Sequence, residues 1–177
     1  MKNAFKPITV LLLIALNTLF ACKKKTDDPT DFTVDDKNLT DCPQGSTCYF
    51  QYVNYASLVN NQLTLATGQY RVFWTRSEGN YGSRILYFLA PMAGDKFLLK
   101  DKDVAEGRVK YVSGCPVCNS IGSLKAIDGS VKGVKIAKSN AGYEKWLLES
   151  NIVLALEGSM RPLDTIYIKQ YYYAAVQ

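Results

Sequence analysis

Past position 42 the chain alternates apolar and polar residues with period two, in short runs separated by turn formers. Residues 48–55 (CYFQYVNY) are rich in aromatics, 62–67 (QLTLAT) alternate strictly, and 69–76 (QYRVFWTR) follow Gly68. Residues 83–90 (SRILYFLA) lie between a Gly/Asn-rich stretch and Pro91, and 96–100 form a further short run. The polar stretch 101–106 suits a turn or a single helical turn, and 108–112, 124–127 and 131–138 read as strands. In 145–156 (KWLLESNIVLAL), Trp146, Leu148, Ile152, Leu154 and Leu156 share one side, and apolar Leu147 and Val153 fall on the other. That run is long enough for a helix, but Gly142 and Gly158 bracket it and Ile152 and Val153 are β-branched, so strand is the better reading. In 165–173 (TIYIKQYYY), Ile166 and Ile168 oppose Tyr167, Lys169 and Tyr171. The triplet Tyr171, Tyr172, Tyr173 must send side chains to both faces, leaving at least one tyrosine partly exposed.

Frequent turns and aromatic or β-branched runs predict an all-β fold, an antiparallel β-sandwich or small β-barrel of about eight to ten strands. The alternation of strands with long helices that marks an α/β fold is missing from the sequence.

The N-terminus follows a different pattern. Lys2 and Lys6 precede a mostly apolar stretch, 7–20, that is shorter than the ~20 apolar residues a spanning helix needs. The run Leu19, Phe20, Ala21, Cys22 resembles the lipobox of bacterial lipoproteins. That resemblance implies a signal peptide over 1–21, lipid on the Cys22 sulfur, and a mature protein held on a membrane without crossing it. Several acyl chains anchor stably, because each buried methylene contributes about 0.8 kcal/mol. The following Lys23, Lys24, Lys25, Thr26, Asp27 and Asp28 are similar to the start of mature lipoproteins of Bacteroidetes-type Gram-negative bacteria. This implies the outer membrane and leaves open its periplasmic or cell-surface face. Through Asp31, Asp35, Asp36 and Asp41 the chain has almost no apolar periodicity, so 22–41 is expected to be a flexible tether and 42–177 a single β-domain.

The formal charge of +5 is mild, and its basic residues are interleaved with acids and apolar positions, unlike the dense stripe of a nucleic-acid surface. The chain has no histidine. That removes Ser-His and Cys-His nucleophiles and imidazole-bound zinc. A carboxylate hydrolase remains conceivable in chemistry, but most acids of the domain fall in predicted turns. No enzyme activity, cofactor or metal is expected.

Four cysteines besides Cys22 remain: Cys42, Cys48, Cys115 and Cys118. In an exported domain they imply disulfides, with three connectivities open and local pairing the simplest. The segment Cys115, Pro116, Val117, Cys118 resembles the redox motif of thioredoxin-like oxidoreductases, which makes thiol–disulfide exchange the alternative function. Asn119, Ser120, Ile121, Gly122 and Ser123 after it are poor helix material, whereas that chemistry relies on a helix N-terminus.

Trp74, Tyr167, Tyr171 and Tyr173 fall in predicted strands and are the candidate ligand contacts, for a glycan, a lipid or a protein. Tyrosine also serves strands simply by straddling core and surface. A binding role predicts a concave, aromatic-lined pocket around these residues. The expected protein is thus a membrane-anchored extracytoplasmic module that binds a ligand or builds the envelope.

Overall fold

The structure is a computed structural model and describes residues 31–59, 64–80, 82–114, 122–136 and 144–176. Strands take up 66% of the described residues and helix 4%, so the fold is all-β. In chain order the strands are β1 (Ser46–Val59), β2 (Thr64–Thr67), β3 (Tyr70–Gly79), β4 (Gly82–Pro91), β5 (Lys96–Leu99), β6 (Val109–Gly114), β7 (Leu124–Ile136), β8 (Lys145–Leu156) and β9 (Asp164–Ala174). One short helix, α1 (Asp101–Ala105), sits between β5 and β6.

All nine strands belong to one sheet, ordered β5-β7-β8-β9-β1-β3-β4-β6, with β2 paired to β1. The sheet curls into a half-barrel, so the barrel side of the expectation holds and the sandwich side does not. It is also mixed. The first and last strands run parallel, pairing Gln51 with Tyr173 and Tyr52 with Ala174. Every other pairing is antiparallel. On the far side β6 lies close to β7, with no ladder between them.

The two runs expected at 124–127 and 131–138 are one strand, β7, with a register shift between Ala126 and Asp128. Gly129 makes this possible: its φ is +124°, and a Cβ there would stand 2.1 Å from the Asn151 carbonyl oxygen. A second bulge, between Val53 and Ala56 in β1, places Tyr55 at φ 53°.

The inner face carries the core. Tyr52, Phe73, Phe88, Phe97, Trp146, Leu148, Ile152, Leu154 and Tyr172 are all buried there. Phe73 is central, with ring centroids 5.3 Å from Phe97, 5.6 Å from Trp146 and 5.7 Å from Tyr172. Gly133 leaves room for Phe97, whose ring would meet a Cβ at 2.1 Å. The Tyr172 hydroxyl shares a 2.5 Å hydrogen bond with Thr75 Oγ1. In the tyrosine triplet only Tyr172 points inward, at 0% exposure.

The compact unit begins at Phe32, earlier than the expected boundary at 42. The backbone of Thr40 donates to the Lys169 carbonyl at 2.8 Å, and its hydroxyl accepts from the Lys169 amide at 2.9 Å. Asp35 accepts from Lys169 Nζ at 2.6 Å, and Asp36 accepts from the Tyr171 hydroxyl at 3.0 Å. The acids that made this stretch look like a solvated tether find their partners on β9, a strand far away in sequence. Beyond it, Cys42 and Cys48 form a disulfide with a Cα separation of 5.7 Å.

Candidate functional site

The candidate contacts lie on the outer face of the sheet. Register shows how they meet. Tyr173 pairs with Lys145 on β8 and Gln51 on β1; Gln51 pairs with Trp74 on β3, Trp74 with Tyr87 on β4, and Tyr87 with Lys110 on β6. Residues opposite one another on adjacent strands project from the same face. A continuous row of Lys145, Tyr173, Gln51, Trp74, Tyr87 and Lys110 therefore crosses the sheet. Strand spacing of ~4.8 Å makes the row about 24 Å long and sets Tyr173 about 10 Å from Trp74.

Exposure among the aromatics of the row is highest at Tyr173; Gln51 and Trp74 are half-buried and Tyr87 is buried. Tyr173 is 49% exposed and Tyr49, one step along β1, is 43% exposed. Trp74 is half-buried and tilts against buried Tyr87, with centroids 6.5 Å apart. On one flank Val53, Val72 and Leu89 form an apolar row that, with Ala56, Leu58, Tyr70 and Ile85, makes a second apolar cluster. A sheet is usually apolar on one face only when its other face meets water. Here β1, β3 and β4 are apolar on both faces, and among the described residues no strand or helix forms a second layer over the outer one.

Of the other sequence candidates, Tyr167 and Tyr171 share this outer face on β9. Tyr167 is 48% exposed, and its hydroxyl donates to Glu149 at 3.4 Å. Partial burial, then the neighbouring Glu149 charge, push its pKa up. Tyr171 is half-buried, and Lys145 Nζ stands 3.7 Å above its ring centroid. The expected concave pocket is not formed by these residues: they decorate the outside, and the inside is filled by core side chains. The physical reason is parity. Tyr167, Tyr171 and Tyr173 alternate with Ile166, Ile168 and Tyr172, and the latter set is the inward one.

A polar cluster that sequence reasoning missed closes one end of the interior. Arg71 is 6% exposed, and its guanidinium lies 4.2 Å above the Trp146 ring centroid. Nε donates to Asn54 Oδ1 at 2.8 Å and Nη2 to the Met92 carbonyl at 3.3 Å. Among the described residues, Nη1 has no partner. Burial pulls the Arg71 pKa down, and the Glu144 charge opposes it. Glu144 accepts from Lys135 Nζ at 3.0 Å and from the Tyr52 hydroxyl at 3.3 Å. Burial raises the Glu144 pKa, but the hydrogen bond and charge of Lys135, with hydrogen bonds from Trp146 and Tyr52, together hold the carboxyl below its ordinary value. Burial, then the Glu144 charge, push Tyr52 up to about 12. Asp95, 3.7 Å from Lys135 Nζ, supplies the second carboxylate, so two cations meet two acids across this end, and the stack of Arg71 on Trp146 reads as a plug. Arg71 sits in a strand between apolar neighbours with nothing local to mark it, and its partners Asn54, Met92 and Trp146 come from other strands and turns.

Cys22, Cys115 and Cys118 lie outside the described residues, so the lipid site and the C-P-x-C segment have no structural description. Among the described residues no group of three or more Cys, Asp or Glu is gathered in a way that would hold a metal ion. Nor, among them, is any helix long and apolar enough to cross a membrane. No family model matches this chain, and no curated protein or solved structure matches it either.

Proposed function

We propose that this protein is a lipid-anchored, extracytoplasmic binding module that presents the outer face of β9, β1, β3 and β4 to its ligand. One observation carries the reading: the sheet is apolar on both faces at β1, β3 and β4, while its inner face already has its own core. An outer patch holding Trp74, Tyr49 and Tyr173, over which no strand or helix among the described residues forms a second layer, suits contact with something outside the domain. The filled interior argues for a surface over a pocket. The anchor and the outer-membrane address rest on Leu19, Phe20, Ala21 and Cys22 and the lysines that follow.

The test compares the wild-type protein with the Trp74→Ser/Tyr173→Ser variant against immobilised glycans, lipid vesicles and envelope fractions. The wild type retains a ligand that the variant releases, with both chains equally folded by circular dichroism. A ligand that the outer-face variant keeps, and that interior changes abolish, would contradict the reading. Intact mass of membrane-extracted protein checks the anchor: a diacylglyceryl-modified Cys22 is expected, and an unmodified chain would refute it.

A further inference from the structure

The same outer row suggests the chemistry of the ligand, an inference that rests on the outer face being the binding surface. We propose that the row takes an extended, anionic polysaccharide laid across the strands.

Three features converge. First, two aromatics of the row, the half-exposed Tyr173 and the half-buried Trp74, flank Gln51. An amide between two ring faces is a hydrogen-bonding group between two stacking platforms. Sugars need both, because a pyranose has apolar C–H faces and hydroxyl edges. At two strand spacings, about 10 Å, the platforms stand apart by the span of a disaccharide.

Second, the row ends in cations on both sides, Lys145 on β8 and Lys110 on β6. Among the described residues neither forms an ion pair, whereas Arg76 on the same face is tied to Glu78 and Lys169 to Asp35. Lys145 sits over the Tyr171 ring, so its charge is held on the face and not extended into solvent. Cations about 24 Å apart, at the two ends of a stacking row, fit a ligand whose negative charge recurs along its length.

Third, the carboxylates nearest the row are engaged. Glu78 pairs with Arg76, Glu149 accepts from the Tyr167 hydroxyl and Asp36 from the Tyr171 hydroxyl. Of these only Glu78 is neutralised by its partner; Glu149 and Asp36 accept from neutral phenols and keep their charge, which lies toward β9, where register sets Glu149 opposite Lys132 and Lys169. An anionic bilayer would also meet lysines and aromatics. However, the most exposed aliphatic side chains, Val176 at 98%, Met160 at 72% and Leu163 at 59%, lie after β9 and in the turn between β8 and β9, and not on the row. The row is less suited to insertion than to stacking.

The experiment is isothermal titration of the full mature chain with polygalacturonate, alginate and dextran sulfate, each beside an uncharged counterpart (methyl-esterified polygalacturonate, propylene-glycol alginate, dextran). At least one acidic polymer is expected to bind, with the uncharged partner at least tenfold weaker, taking about 1.4 kcal/mol as tenfold. Trp74→Ala and Lys110→Gln/Lys145→Gln should each weaken it about tenfold, and Lys100→Gln/Lys125→Gln, elsewhere on the surface, should leave it unchanged. Equal loss in both lysine pairs would show undirected charge attraction and overturn the proposal. Equal binding of the uncharged polymers, lost in Trp74→Ala, would overturn the anionic part and leave the outer face as the binding surface. Binding to phosphatidylglycerol vesicles and to no polymer would overturn the polysaccharide in favour of a membrane. No binding to any polymer or vesicle would overturn the proposal outright.

Discussion

Replacing Tyr172 by phenylalanine removes one oxygen from the centre of the barrel. Its hydroxyl meets Thr75 Oγ1 at 2.5 Å, and both groups are buried, Tyr172 at 0% and Thr75 at 8% exposure. The bond joins β3 to β9, which are separated by β1 in the sheet. It reinforces a region where β9 and β1 pair through only two residues each. The ring of Tyr172 also packs edge-on against Phe50 at 5.6 Å and Phe73 at 5.7 Å, and phenylalanine keeps these contacts. The change therefore isolates the hydroxyl. Loss of one partner strands the Thr75 hydroxyl in the core, which costs roughly 1–3 kcal/mol. Thr75→Val alone strands the tyrosine hydroxyl at a similar cost. The double variant Tyr172→Phe/Thr75→Val leaves no orphan, so its loss should be well below the sum of the singles, with a coupling of about 0.5–3 kcal/mol. Urea unfolding of the four proteins, at unchanged m-value, measures this. Additive losses in the double variant, or a neutral Tyr172→Phe, would mean that the hydroxyls are not each other's partners.

Other perturbations probe different parts of the fold. Gly133→Ala drives a methyl into the Phe97 ring, itself held by Phe73 and Trp146, and should cost about 1–3 kcal/mol; Phe97→Leu in the same chain should recover part of it in thermal melts. At the plugged end, Asn54→Ala removes the Nε acceptor of a buried guanidinium and should destabilise more than Arg71→Met, which removes the charge itself; the reverse order in urea unfolding would contradict the account. The contact of Asp35 with Lys169 is bounded in pH on both sides. Hydrogen bonding to Lys169 lowers the Asp35 pKa, so this contribution is full above the ordinary value of 3.8 and fades as pH falls through the lowered one. The same bond raises the Lys169 pKa, so its contribution is full below the ordinary 10.5 and fades as pH rises through the raised value. Protection of the Thr40 and Lys169 amides, taken relative to their intrinsic exchange at each pH, should fall at both extremes, and Asp35→Asn should flatten both limbs.

Much of the fold was legible because strand alternation is a local signal. The runs 145–156 and 165–173 became β8 and β9 with Trp146, Leu148, Ile152 and Leu154 facing the core as their spacing implied. Leu156 did not follow: at the strand's end it is 38% exposed. Leu147, on the opposite face, is buried at 1%. What stayed hidden depends on register between distant segments. Nothing near Gln51 announces that it will lie beside Tyr173, because a parallel pair between the first and last strands is set by closure of the whole sheet. The same is true of Thr40 and Asp35, which look like tether until β9 is beside them. The aromatics at Trp74 and Tyr173 were visible as residues, but their membership of one row with Lys145 and Lys110 was not.

The most direct test of the outer face as a binding surface works whatever the ligand is. Hydroxyl-radical footprinting would be run on intact cells and on the purified protein, reading oxidation of each aromatic and methionine by peptide mass. Tyr49, Tyr173 and Trp74 should be protected on cells relative to the purified chain, while Tyr55 and Met160, 68% and 72% exposed, should oxidise alike in both. Equal oxidation of the row residues in the two states would contradict the account.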